Sequence, residues 1–575
     1  MMTFSKVSLL LSAASLVFAQ FVPAPKDLQH ATGYLGLPVR YKEVPTGICE
    51  LDPKVKSYSG YVDVSENEHI FFWFFEARNV DPTEAPLTVW INGGPGSSSM
   101  IGLFKENGPC RVDSDGKVYN NPYSWSNVSN MIYIDQPTQT GFSYSIPVNG
   151  YVDPNYNVIV SLPDATCPDY AQKFGTCGTF SYPNQTLTAS TTGNAAPNFW
   201  KTLQGFMGAF PQYSRRGFHF GSESYGGHWG PIFTEYIEEQ NAKNILGAHK
   251  ISLETVLIGN GWFDPLIQYQ SFYNFTVSPG NTYDYSPFSP SIQAQFYNNL
   301  YGPGNCVDQI KDCAARGLDA ICAAADHFCS ATVESIYDIY LGRDELDIRE
   351  LSPDRFPYSF YISYLNTPKV QAAIGAFQNF SESSGAVFDA LTATGDDNRE
   401  YGTVSALRKL LAQNLTVMLY AGDADYNCNW LGVEAVSKEI NAPNFSCAGY
   451  TNLTTSDSIV HGQVKQANKF SFVRVYQSGH EVPFYQPLAS LEMFERAING
   501  LDIATGKEKP REGYVTVGPE KSEYREGNST IQFKVLPADA TYNYTTGAPN
   551  PPGQGSLKKR GMGLLSKEKK FKSRV

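Results

Sequence analysis

A serine set among small residues is the side chain in this sequence best placed for nucleophilic chemistry. Ser224 lies in Gly221-Ser-Glu-Ser-Tyr-Gly-Gly227, directly after the apolar residues 218–220 and before a segment able to form a helix. A hydroxyl becomes a useful nucleophile only on an exposed tight turn with a base in reach. Ser222 stands where the usual Gly-x-Ser-x-Gly pattern has glycine, but serine is small enough for such a turn. Taken alone, the motif also fits a plain glycine-rich turn.

Two later segments supply the acid and the base that this serine needs. Asp425 follows the apolar residues 416–420, in a segment that also contains Asp423, and His480 follows the last strand-like run. The order Ser, Asp, His is that of α/β-hydrolase enzymes and differs from the other serine-protease orders. A single Asp or His in a turn is more often structural. Three such residues in this order, each just after a predicted strand, predict a catalytic triad.

A glycine-rich loop after another strand-like run offers backbone N–H groups. Residues 90–99, Trp-Ile-Asn-Gly-Gly-Pro-Gly-Ser-Ser-Ser, lie where this fold places an oxyanion hole, although a tight loop that merely needs glycine has the same composition. Glu106 follows this loop, and Glu223 adjoins the serine. If the two carboxyls meet, we expect them to share a proton at mildly acidic pH. A protonated carboxyl can then donate a hydrogen bond to another carboxylate.

The segments that must position these residues alternate between short apolar runs and stretches able to form helices. Such alternation predicts a mostly parallel α/β sheet, with functional residues beyond the C-terminal ends of its strands. Helices are predicted at 198–210 and 231–240. Strands are predicted at 58–64, 69–75, 87–90, 131–134, 218–220, 255–258, 416–420 and 470–475.

Two cysteine-containing stretches interrupt this alternation. Residues 149–193 are rich in Pro, Asn and Thr and are interpreted as a surface insertion. Residues 264–361 carry four cysteines between two core strands and are interpreted as a cap over the active site. The α/β core is therefore expected in two parts, 45–263 and 362–505.

Both ends of the chain are expected outside the folded core. A basic residue, a short apolar run and a small-residue cleavage site make residues 1–19 a predicted signal peptide; the alternative is an N-terminal core helix. The Pro-rich residues 20–44 are interpreted as a propeptide or linker. The polar residues 506–575 are interpreted as a tail, in which 558–560, Lys-Lys-Arg, is either a processing site or a solvated charge run.

The composition agrees with export and argues against several classes of protein. A net charge of −12 speaks against a nucleic-acid partner, and no later segment has the length of a transmembrane helix. No metal-ligand cluster and no dinucleotide-binding motif is present, so neither a metal nor a cofactor is expected. The ten cysteines include no Cys-x-x-Cys pair, and in an exported protein most should form disulfides. Nine glycosylation sequons are predicted, at Asn127, Asn184, Asn274, Asn379, Asn414, Asn444, Asn452, Asn528 and Asn543.

Between residues 58 and 500 the chain resembles the serine carboxypeptidase family. The resemblance is carried by several separate motifs and is therefore far more specific than any one of them. These motifs are residues 90–99, Asp135-Gln-Pro with Gly141-Phe-Ser-Tyr, 223–227, Gly259-Asn-Gly, 422–432 and 480–483.

The resemblance assigns a role to each candidate residue. It implies that Ser224 is the nucleophile, that His480 is the general base and then the acid, and that Asp425, rather than Asp423, orients the imidazole. It places the oxyanion hole at the backbone amides of Gly94 and Tyr225. The residues that it implies for holding the terminal carboxylate of a substrate are Trp90, Asn92, Gly93, Glu106 and Glu223.

The same resemblance implies a fold and an activity. The fold is that of an α/β-hydrolase with an inserted cap. The activity is release of single amino acids from the C-termini of peptides and proteins, through an acyl-enzyme and favoured at acidic pH. The predicted signal peptide and the sequons indicate the secretory pathway, with secretion or delivery to a vacuole as the two destinations. Among the cap cysteines it implies the nested pairs Cys306–Cys329 and Cys313–Cys322, where spacing alone leaves three connectivities open. Cys49–Cys110 and Cys167–Cys177 are further candidate pairs.

Some positions depart from the family pattern. Ser97 stands where many members have cysteine, so a disulfide anchoring that loop is expected to be absent. Thr138 and Gln139 replace the common form of the Asp-Gln-Pro segment. Cys428 is either a free thiol near the pocket, which mercurials would block, or the partner of Cys447.

Two other functions remain as alternatives. An esterase or acyltransferase would keep the triad and change the substrate, whereas the second glutamate and the intact loop at 90–99 favour peptide C-termini. A catalytically inactive secreted binding glycoprotein is the alternative from another class. The loss of a triad member would favour it, and none is missing.

Overall fold

The structure, a computed structural model, describes residues 21–153, 158–174, 177–277, 280–352, 358–399 and 402–534. The predicted signal peptide, the sequon at Asn543 and the basic residues 558–560 lie outside these ranges.

Twelve strands form one large mixed sheet, in the spatial order β1-β2-β3-β4-β8-β5-β12-β13-β14-β17-β16-β15. The six adjacent strands from β8 to β17 in this order are parallel, and the strands on both flanks are antiparallel. In chain order the strands are β1 (Gln29–Thr32), β2 (Pro38–Glu43), β3 (Ser57–Ser65), β4 (Glu68–Phe75), β5 (Leu87–Ile91), β6 (Cys110–Val112), β7 (Val118–Asn120), β8 (Asn130–Ile134), β9 (Pro147–Asp153), β10 (Val158–Ser161), β11 (Cys177–Ser181), β12 (Phe218–Glu223), β13 (Leu253–Gly259), β14 (Thr416–Gly422), β15 (Thr451–Thr454), β16 (Val460–Ala467) and β17 (Phe470–Val475).

Every strand predicted from the sequence lies in this sheet, and the α/β prediction is confirmed. Strand β4 is an uninterrupted apolar run. Side chains of a strand alternate between its two faces, so a strand buried on both faces needs apolar residues at every position. Phe72 and Phe74 enter the hydrophobic core on one side of the sheet, while Trp73 and Phe75 enter the core on the other. Both faces of the sheet are therefore buried.

Helices cover both faces of the sheet. Side chains from α2, α3, α12 and α13 belong to one core, and side chains from α15 belong to the other. The helices are α1 (Asp169–Phe174), α2 (Thr192–Ala209), α3 (Gly226–Lys243), α4 (Pro265–Thr276), α5 (Pro290–Tyr301), α6 (Cys306–Arg316), α7 (Asp319–Cys329), α8 (Ile336–Leu341), α9 (Phe360–Leu365), α10 (Pro368–Ile374), α11 (Gly385–Thr392), α12 (Thr403–Ala412), α13 (Trp430–Glu439), α14 (Val482–Tyr485) and α15 (Pro487–Ile498).

The two predicted insertions have their own secondary structure. The first contains the small sheet β10-β9-β11, and the second contains helices α4 to α8. Helices α6 and α7 form a hairpin tied by two disulfides. The structure forms the four expected disulfide pairs, with Cα–Cα distances of 5.3 Å for Cys49–Cys110, 5.8 Å for Cys167–Cys177, 5.0 Å for Cys306–Cys329 and 4.7 Å for Cys313–Cys322.

The expectation that residues 20–44 lie outside the folded core is wrong for residues 29–43. Strand β2 pairs with β3 of the large sheet, and β1 pairs with β2. Only Val39 of β2 is fully buried, because the strand lies near the edge of the sheet. This single buried position gives no apolar period that the sequence could show.

The interpretation of residues 506–575 as a tail outside the core is also wrong as far as residue 534. The segment follows the surface through main-chain hydrogen bonds, such as Tyr450 N to the carbonyl oxygen of Pro519 at 2.7 Å. Tyr524 stacks on Tyr476 with ring centroids 3.8 Å apart. Main-chain pairing of this kind needs few apolar side chains, so the polar composition of the segment gives no sign that it packs against the core.

The described sequons differ in exposure. Asn127 and Asn184 are half-buried, whereas Asn379 is buried and its Oδ1 accepts a hydrogen bond from Thr179 N at 2.8 Å. The position of Asn379 argues against a glycan there, because a sugar needs a side chain that reaches solvent. The exposed sequons are Asn274, Asn414, Asn444, Asn452 and Asn528. No helix in the described ranges combines the length and the apolar composition that a membrane crossing needs.

Candidate active site

Ser224 occupies the tight turn between β12 and α3. Its backbone is left-handed, with φ +61°, and its N–H donates to the carbonyl oxygen of Gly259 at 3.1 Å. A Cβ on Gly227 would lie 2.3 Å from the main-chain oxygen of Trp262, so the start of α3 requires glycine. The Ser222 hydroxyl donates to the Gly226 carbonyl oxygen at 3.3 Å, which accommodates the departure from glycine. The sequence pattern thus folds into a strained turn in which Ser224 alone is partly exposed.

The predicted acid and base form a buried pair beyond β14 and β17. Nδ1 of His480 lies 2.8 Å from Oδ2 of Asp425, and Asp425 has no exposed surface. Burial alone would lower the pKa of His480. The adjacent Asp425 carboxylate raises this pKa by more than burial lowers it, so the net pKa is above the usual value. The carboxylate thereby orients the ring and stabilises its protonated form.

Asn260 is a third member of this group that the sequence did not assign. Its Nδ2 donates to Oδ2 of Asp425 at 2.6 Å, beside the histidine. Residue 260 follows β13, and its contact spans 165 positions of the chain. The Gly259-Asn-Gly motif marked the position, but only the fold reveals what the amide holds.

The neighbouring Asp423 has different contacts. It accepts a hydrogen bond from the Tyr283 hydroxyl at 2.9 Å and lies 3.8 Å from Nη2 of Arg474, a side chain that is 1 % exposed. Asp423 therefore supports the core beneath the loop, and Asp425 is the aspartate that reaches His480.

The glycine-rich loop after β5 touches the nucleophile turn. A Cβ on Gly93 would lie 2.4 Å from Tyr225 N and 2.8 Å from Ser224 Cβ, so no larger residue fits there. Gly94 has φ +104°, a conformation that suits glycine. The loop that carries Gly94 therefore packs against the Ser224–Tyr225 turn, and Gly94, Ser224 and Tyr225 border the same cavity.

The carboxylate of Asp135 holds this loop from beneath. Its Oδ1 accepts from Ser99 N at 2.9 Å and from the Ser98 hydroxyl at 2.6 Å, and its Oδ2 accepts from Phe142 N at 2.8 Å. Burial raises the pKa of Asp135 to about 6. The two stretches of this motif, Asp135-Gln-Pro and Gly141-Phe-Ser-Tyr, therefore meet in the fold and together support the loop.

Two departures from the family pattern have structural counterparts. Near Ser97, which replaces cysteine, the loop is tied by main-chain hydrogen bonds from Ser98 N to Glu382 O at 2.8 Å and from Ser384 N to Gly96 O at 3.0 Å. The amide of Gln139 donates to the carbonyl oxygen of Asn184 at 2.6 Å.

Glu106 and Glu223, the two carboxyls expected to share a proton if they meet, lie together in the structure, and Glu223 directly precedes Ser224 in the chain. The Nδ2 of Asn92 donates to both, at 3.1 Å to Glu106 and 2.9 Å to Glu223. Its Oδ1 accepts from Trp90 Nε1 at 2.9 Å and from Gly102 N at 2.9 Å. This tryptophan and asparagine fix two carboxyls next to the nucleophile.

Burial and mutual repulsion favour the protonated form of this pair. The pKa of Glu106 is raised by burial and by the negative charge of Glu481, and the pKa of Glu223 is raised well above its usual value by burial and by Glu106. Sequence reasoning missed Glu481 and its partner Lys105, whose Nζ lies 3.1 Å from Oε1 of Glu481. The one feature of the sequence that could have indicated a role for Glu481 is its position directly after the catalytic candidate His480.

A cavity of about 80 Å³ opens beside Ser224. Its lining includes Ser224 and the two oxyanion-hole candidates, but not Asn92, Glu106 or Glu223. The residues that line it are Gly94, Ser224, Tyr225, Trp262, Phe272, Glu334, Asp397, Asn427 and Cys428.

Cys428 is a free, buried thiol, and the alternative pairing with the exposed Cys447 is not formed. Burial, with a further contribution from Asp425, raises its pKa well above the usual value, so the thiol is neutral and weakly nucleophilic. Cys428, Asp425 and His480 place one potential metal-binding atom each within 4.8 Å of one another. A metal bound there would occupy the histidine that the serine needs as a base.

The fold and this arrangement together define a serine hydrolase of the α/β-hydrolase class. A serine on the strand-to-helix turn, a buried Asp–His pair and a glycine loop all lie at the C-terminal edge of adjacent parallel strands. The paired glutamates distinguish this site from that of a general hydrolase.

Comparison with known proteins gives the family. The sequence model of the family described as "Serine carboxypeptidase" matches residues 46–158 and 175–500. The chain belongs to the serine carboxypeptidase family, and it is a hydrolase of that type.

Curated relatives and a solved structure agree with this family assignment. "Carboxypeptidase S1 homolog B" of Arthroderma otae is 39 % identical, over 88 % of this chain and 83 % of the relative. "Carboxypeptidase S1" of Penicillium janthinellum is 37 % identical, over 80 % of this chain and 99 % of the relative. The fold is similar to that of Kex1(delta)p of Saccharomyces cerevisiae, described as a prohormone-processing carboxypeptidase, with a TM-score of 0.62 and 22 % identity over 80 % of this chain and 96 % of that one.

Proposed function

We propose that this serine carboxypeptidase removes single residues from the free C-termini of peptides and proteins, and that Ser224, His480 and Asp425 are its catalytic triad. The observation that carries the proposal is the meeting of Glu106 and Glu223 beside Ser224. A carboxyl pair at that place recognises the anionic end of a chain, so the bond next to that end is presented to the serine.

We infer the following chemistry for this triad. His480 accepts the proton of the Ser224 hydroxyl through Nε2 while Nδ1 stays with Asp425, and Oγ attacks the carbonyl carbon of the last peptide bond. The amides of Gly94 and Tyr225 stabilise the oxyanion. His480 then protonates the departing amine, which leaves an ester on Ser224. Water, deprotonated by His480, hydrolyses the ester and restores the serine.

Substrate recognition in this proposal depends on a protonated carboxyl. One of Glu106 and Glu223 keeps a proton at mildly acidic pH and donates it in a hydrogen bond to the substrate carboxylate, with Asn92 and the Gly93 backbone as neighbouring donors. When both ionise, the pair repels the substrate. We therefore infer an enzyme favoured at acidic pH.

The place of action that we propose is outside the cytosol, by secretion or in a vacuole. Four disulfides and several exposed sequons support an oxidising route of export. Because strands β1 and β2 belong to the large sheet, we expect the mature chain to retain residues 29–43.

Covalent trapping tests the assignment of the nucleophile. A fluorophosphonate should add once per chain, at Ser224, and abolish peptide cleavage in proportion to labelling. The Ser224→Ala variant should take no label and lose nearly all turnover. Labelling of another serine, or peptide cleavage that survives in Ser224→Ala, would refute the assignment. Cleavage of esters without cleavage of peptides would favour the esterase alternative.

A further inference from the structure

A short segment from the end of the cap insertion, residues 344–350, binds the loop of Asp425 on both sides. The two backbone amides that follow Asp425 in the chain both donate to the carbonyl oxygen of Glu345, at 2.9 and 3.1 Å. The carbonyl oxygen of Ala424, the residue before Asp425, accepts from Ile348 N at 2.9 Å. Main-chain hydrogen bonds to this bridging segment therefore hold the aspartate loop before and after its carboxylate-bearing residue.

The bridging segment also binds the loop of His480. The carbonyl oxygen of Leu346 accepts a hydrogen bond from His480 N at 2.9 Å. A Cβ on Gly479 would lie 2.6 Å from that same oxygen, so the close approach of the two backbones requires glycine at residue 479. One short segment thus fixes the backbone at the two residues whose side chains form the buried pair, with Nδ1 of His480 at 2.8 Å from Oδ2 of Asp425.

An ion pair inside the bridging segment fixes its shape. Oδ1 of Asp347 accepts hydrogen bonds from Arg349 N at 3.0 Å and from Arg349 Nε at 2.8 Å, and Nη2 of the same arginine donates to Oδ2. The side chain of Asp347 is 1 % exposed and that of Arg349 is 13 % exposed. A bidentate guanidinium–carboxylate pair that is largely removed from water holds a fixed geometry, which a lysine in the same place would not do.

The guanidinium of Arg349 also reaches both catalytic loops. It lies over the ring of Tyr485, 5.4 Å from the centroid, and over the ring of Tyr283, 5.8 Å from the centroid. Tyr485 ends α14, the helix directly after the histidine loop, and the Tyr283 hydroxyl donates to Asp423 in the loop of Asp425. Arg349 therefore joins the bridging segment to its surroundings on the histidine side and on the aspartate side.

We propose that Arg349, paired with Asp347, is a positioning residue for catalysis: it fixes the bridging segment, and the segment holds His480 in line with Asp425. The inference rests on the proposed function, in which this pair activates Ser224. Proton transfer from the serine requires an imidazole in hydrogen-bond reach, so a small displacement of the two loops slows the chemical step. Binding of the terminal carboxylate at the glutamate pair does not depend on that alignment.

Kinetics of Arg349→Met test this role, because methionine is unbranched and apolar and lacks the charged fork. We expect kcat for a blocked dipeptide to fall by about ten-fold or more, while KM changes by less than about two-fold. The rate constant for labelling of Ser224 by a fluorophosphonate should fall in parallel, because that reagent has no terminal carboxylate and reports on the triad alone. Arg349→Lys keeps the charge without the fork, so its kcat should lie between those of the wild type and of Arg349→Met.

Arg40→Met is the matched control. Arg40 belongs to β2, near the edge of the sheet, and its side chain is 14 % exposed. It pairs with Asp63 through Nε at 2.9 Å and lies over the ring of Phe377 at 4.7 Å, so it resembles Arg349 in both kinds of contact. Both methionine variants should lower the melting temperature by several degrees. Only Arg349→Met should lower kcat and the rate of labelling.

Each outcome decides between the inference and its alternatives. Wild-type kcat and labelling in Arg349→Met would overturn the inference, and so would an equal loss of kcat in both methionine variants. A loss confined to KM would also overturn it, because it would indicate weaker substrate binding. If Arg349→Met fails to fold, the comparison of Arg349→Lys with Arg40→Lys decides in the same way. Absence of labelling at Ser224 in the wild-type enzyme would instead refute the proposed function, together with the inference that depends on it.

Discussion

Glu106 and Glu223 accept hydrogen bonds from one and the same amide nitrogen, Nδ2 of Asn92, at 3.1 and 2.9 Å. Two buried carboxyls so close together cannot both be ionised without strong repulsion. The pair therefore retains a proton at a pH where an isolated glutamate would have lost it. The proposed recognition of a chain end depends on that proton.

The first prediction concerns the pH dependence of this recognition. Because burial and neighbouring charges raise the pKa of both glutamates, the shared proton is present at acidic pH and is lost as the pH rises. We expect kcat/KM for a blocked dipeptide to fall between about pH 5 and about pH 8, chiefly through KM. Initial rates across this range provide the test.

A neutral variant and an uncharged substrate serve as controls for this pH profile. Glu106→Gln has no proton to lose at that position, so its KM should vary less with pH than that of the wild type. The ester of the same amino-acid sequence, with no terminal carboxylate, should also lack most of the alkaline fall. A KM that stays constant to pH 8 for the free acid would argue against the shared-proton mechanism.

The second prediction separates the two aspartates after β14. Asp425→Asn should lower kcat by about 10⁴ because the imidazole loses the carboxylate that sets its tautomer. Asp423→Asn leaves His480 untouched and weakens the contacts with Tyr283 and Arg474. Its main effect should therefore be a lower melting temperature. Steady-state kinetics and thermal unfolding of both variants make the comparison. A loss of kcat in Asp423→Asn with only a lower melting temperature in Asp425→Asn would mean that Asp423 is the aspartate that serves His480.

Much of the candidate site could be predicted from the sequence because several of its residues lie in short motifs at the ends of strands. Ser224, Asp425 and His480 are of this kind. Asn260 and Glu481 could not be assigned, because their roles arise from contacts with side chains far along the chain. The same holds for the cavity beside Ser224, which joins residue 334 of the cap to residue 397 of the core.

The fold shows the same limit. Strands such as β4 are buried on both faces, so they can be recognised in the sequence as apolar runs. Strand β2 and residues 506–534 are held to the body mostly by main-chain hydrogen bonds, which leave no signature in side-chain composition. Both were consequently interpreted as segments outside the core.

The third prediction concerns Asn260. Asn260→Ala removes the second donor to Asp425, so the carboxylate is held less firmly behind His480. We expect kcat to fall by about ten-fold with little change in KM, because this amide is buried and donates to Asp425. Asn281→Ala is the matched control, since its buried amide bonds to the carbonyl oxygens of Phe275 and Tyr285 in the cap. Equal losses of kcat in both variants would indicate a general structural effect.

The fourth prediction concerns stability. Burial raises the pKa of Glu334 to about 7, and burial with nearby acidic groups raises that of Glu345 to about 8; that of Asp135 rises to about 6. In the unfolded chain these groups titrate near pH 4, so between about pH 4 and about pH 8 the folded state binds more protons. Stability should therefore be greatest at the acidic end of this window and fall as the pH rises.

Calorimetry at several pH values checks this prediction. The melting temperature should be several degrees higher near pH 5 than near pH 8. Glu345→Gln removes one of the groups that must ionise in the folded state, so its melting temperature should fall less steeply. A melting temperature that increases toward pH 8 would contradict the account.

The most direct test of the central claim is a mass-spectrometric time course on one peptide prepared with a free C-terminus and with a C-terminal amide. At about pH 5 the wild-type enzyme should shorten the free acid one residue at a time from its C-terminus and leave the amide largely intact, because only the free acid carries the carboxylate that Glu106 and Glu223 bind. Ser224→Ala should shorten neither. Internal cleavage, trimming from the N-terminus, or equal shortening of acid and amide would contradict the account.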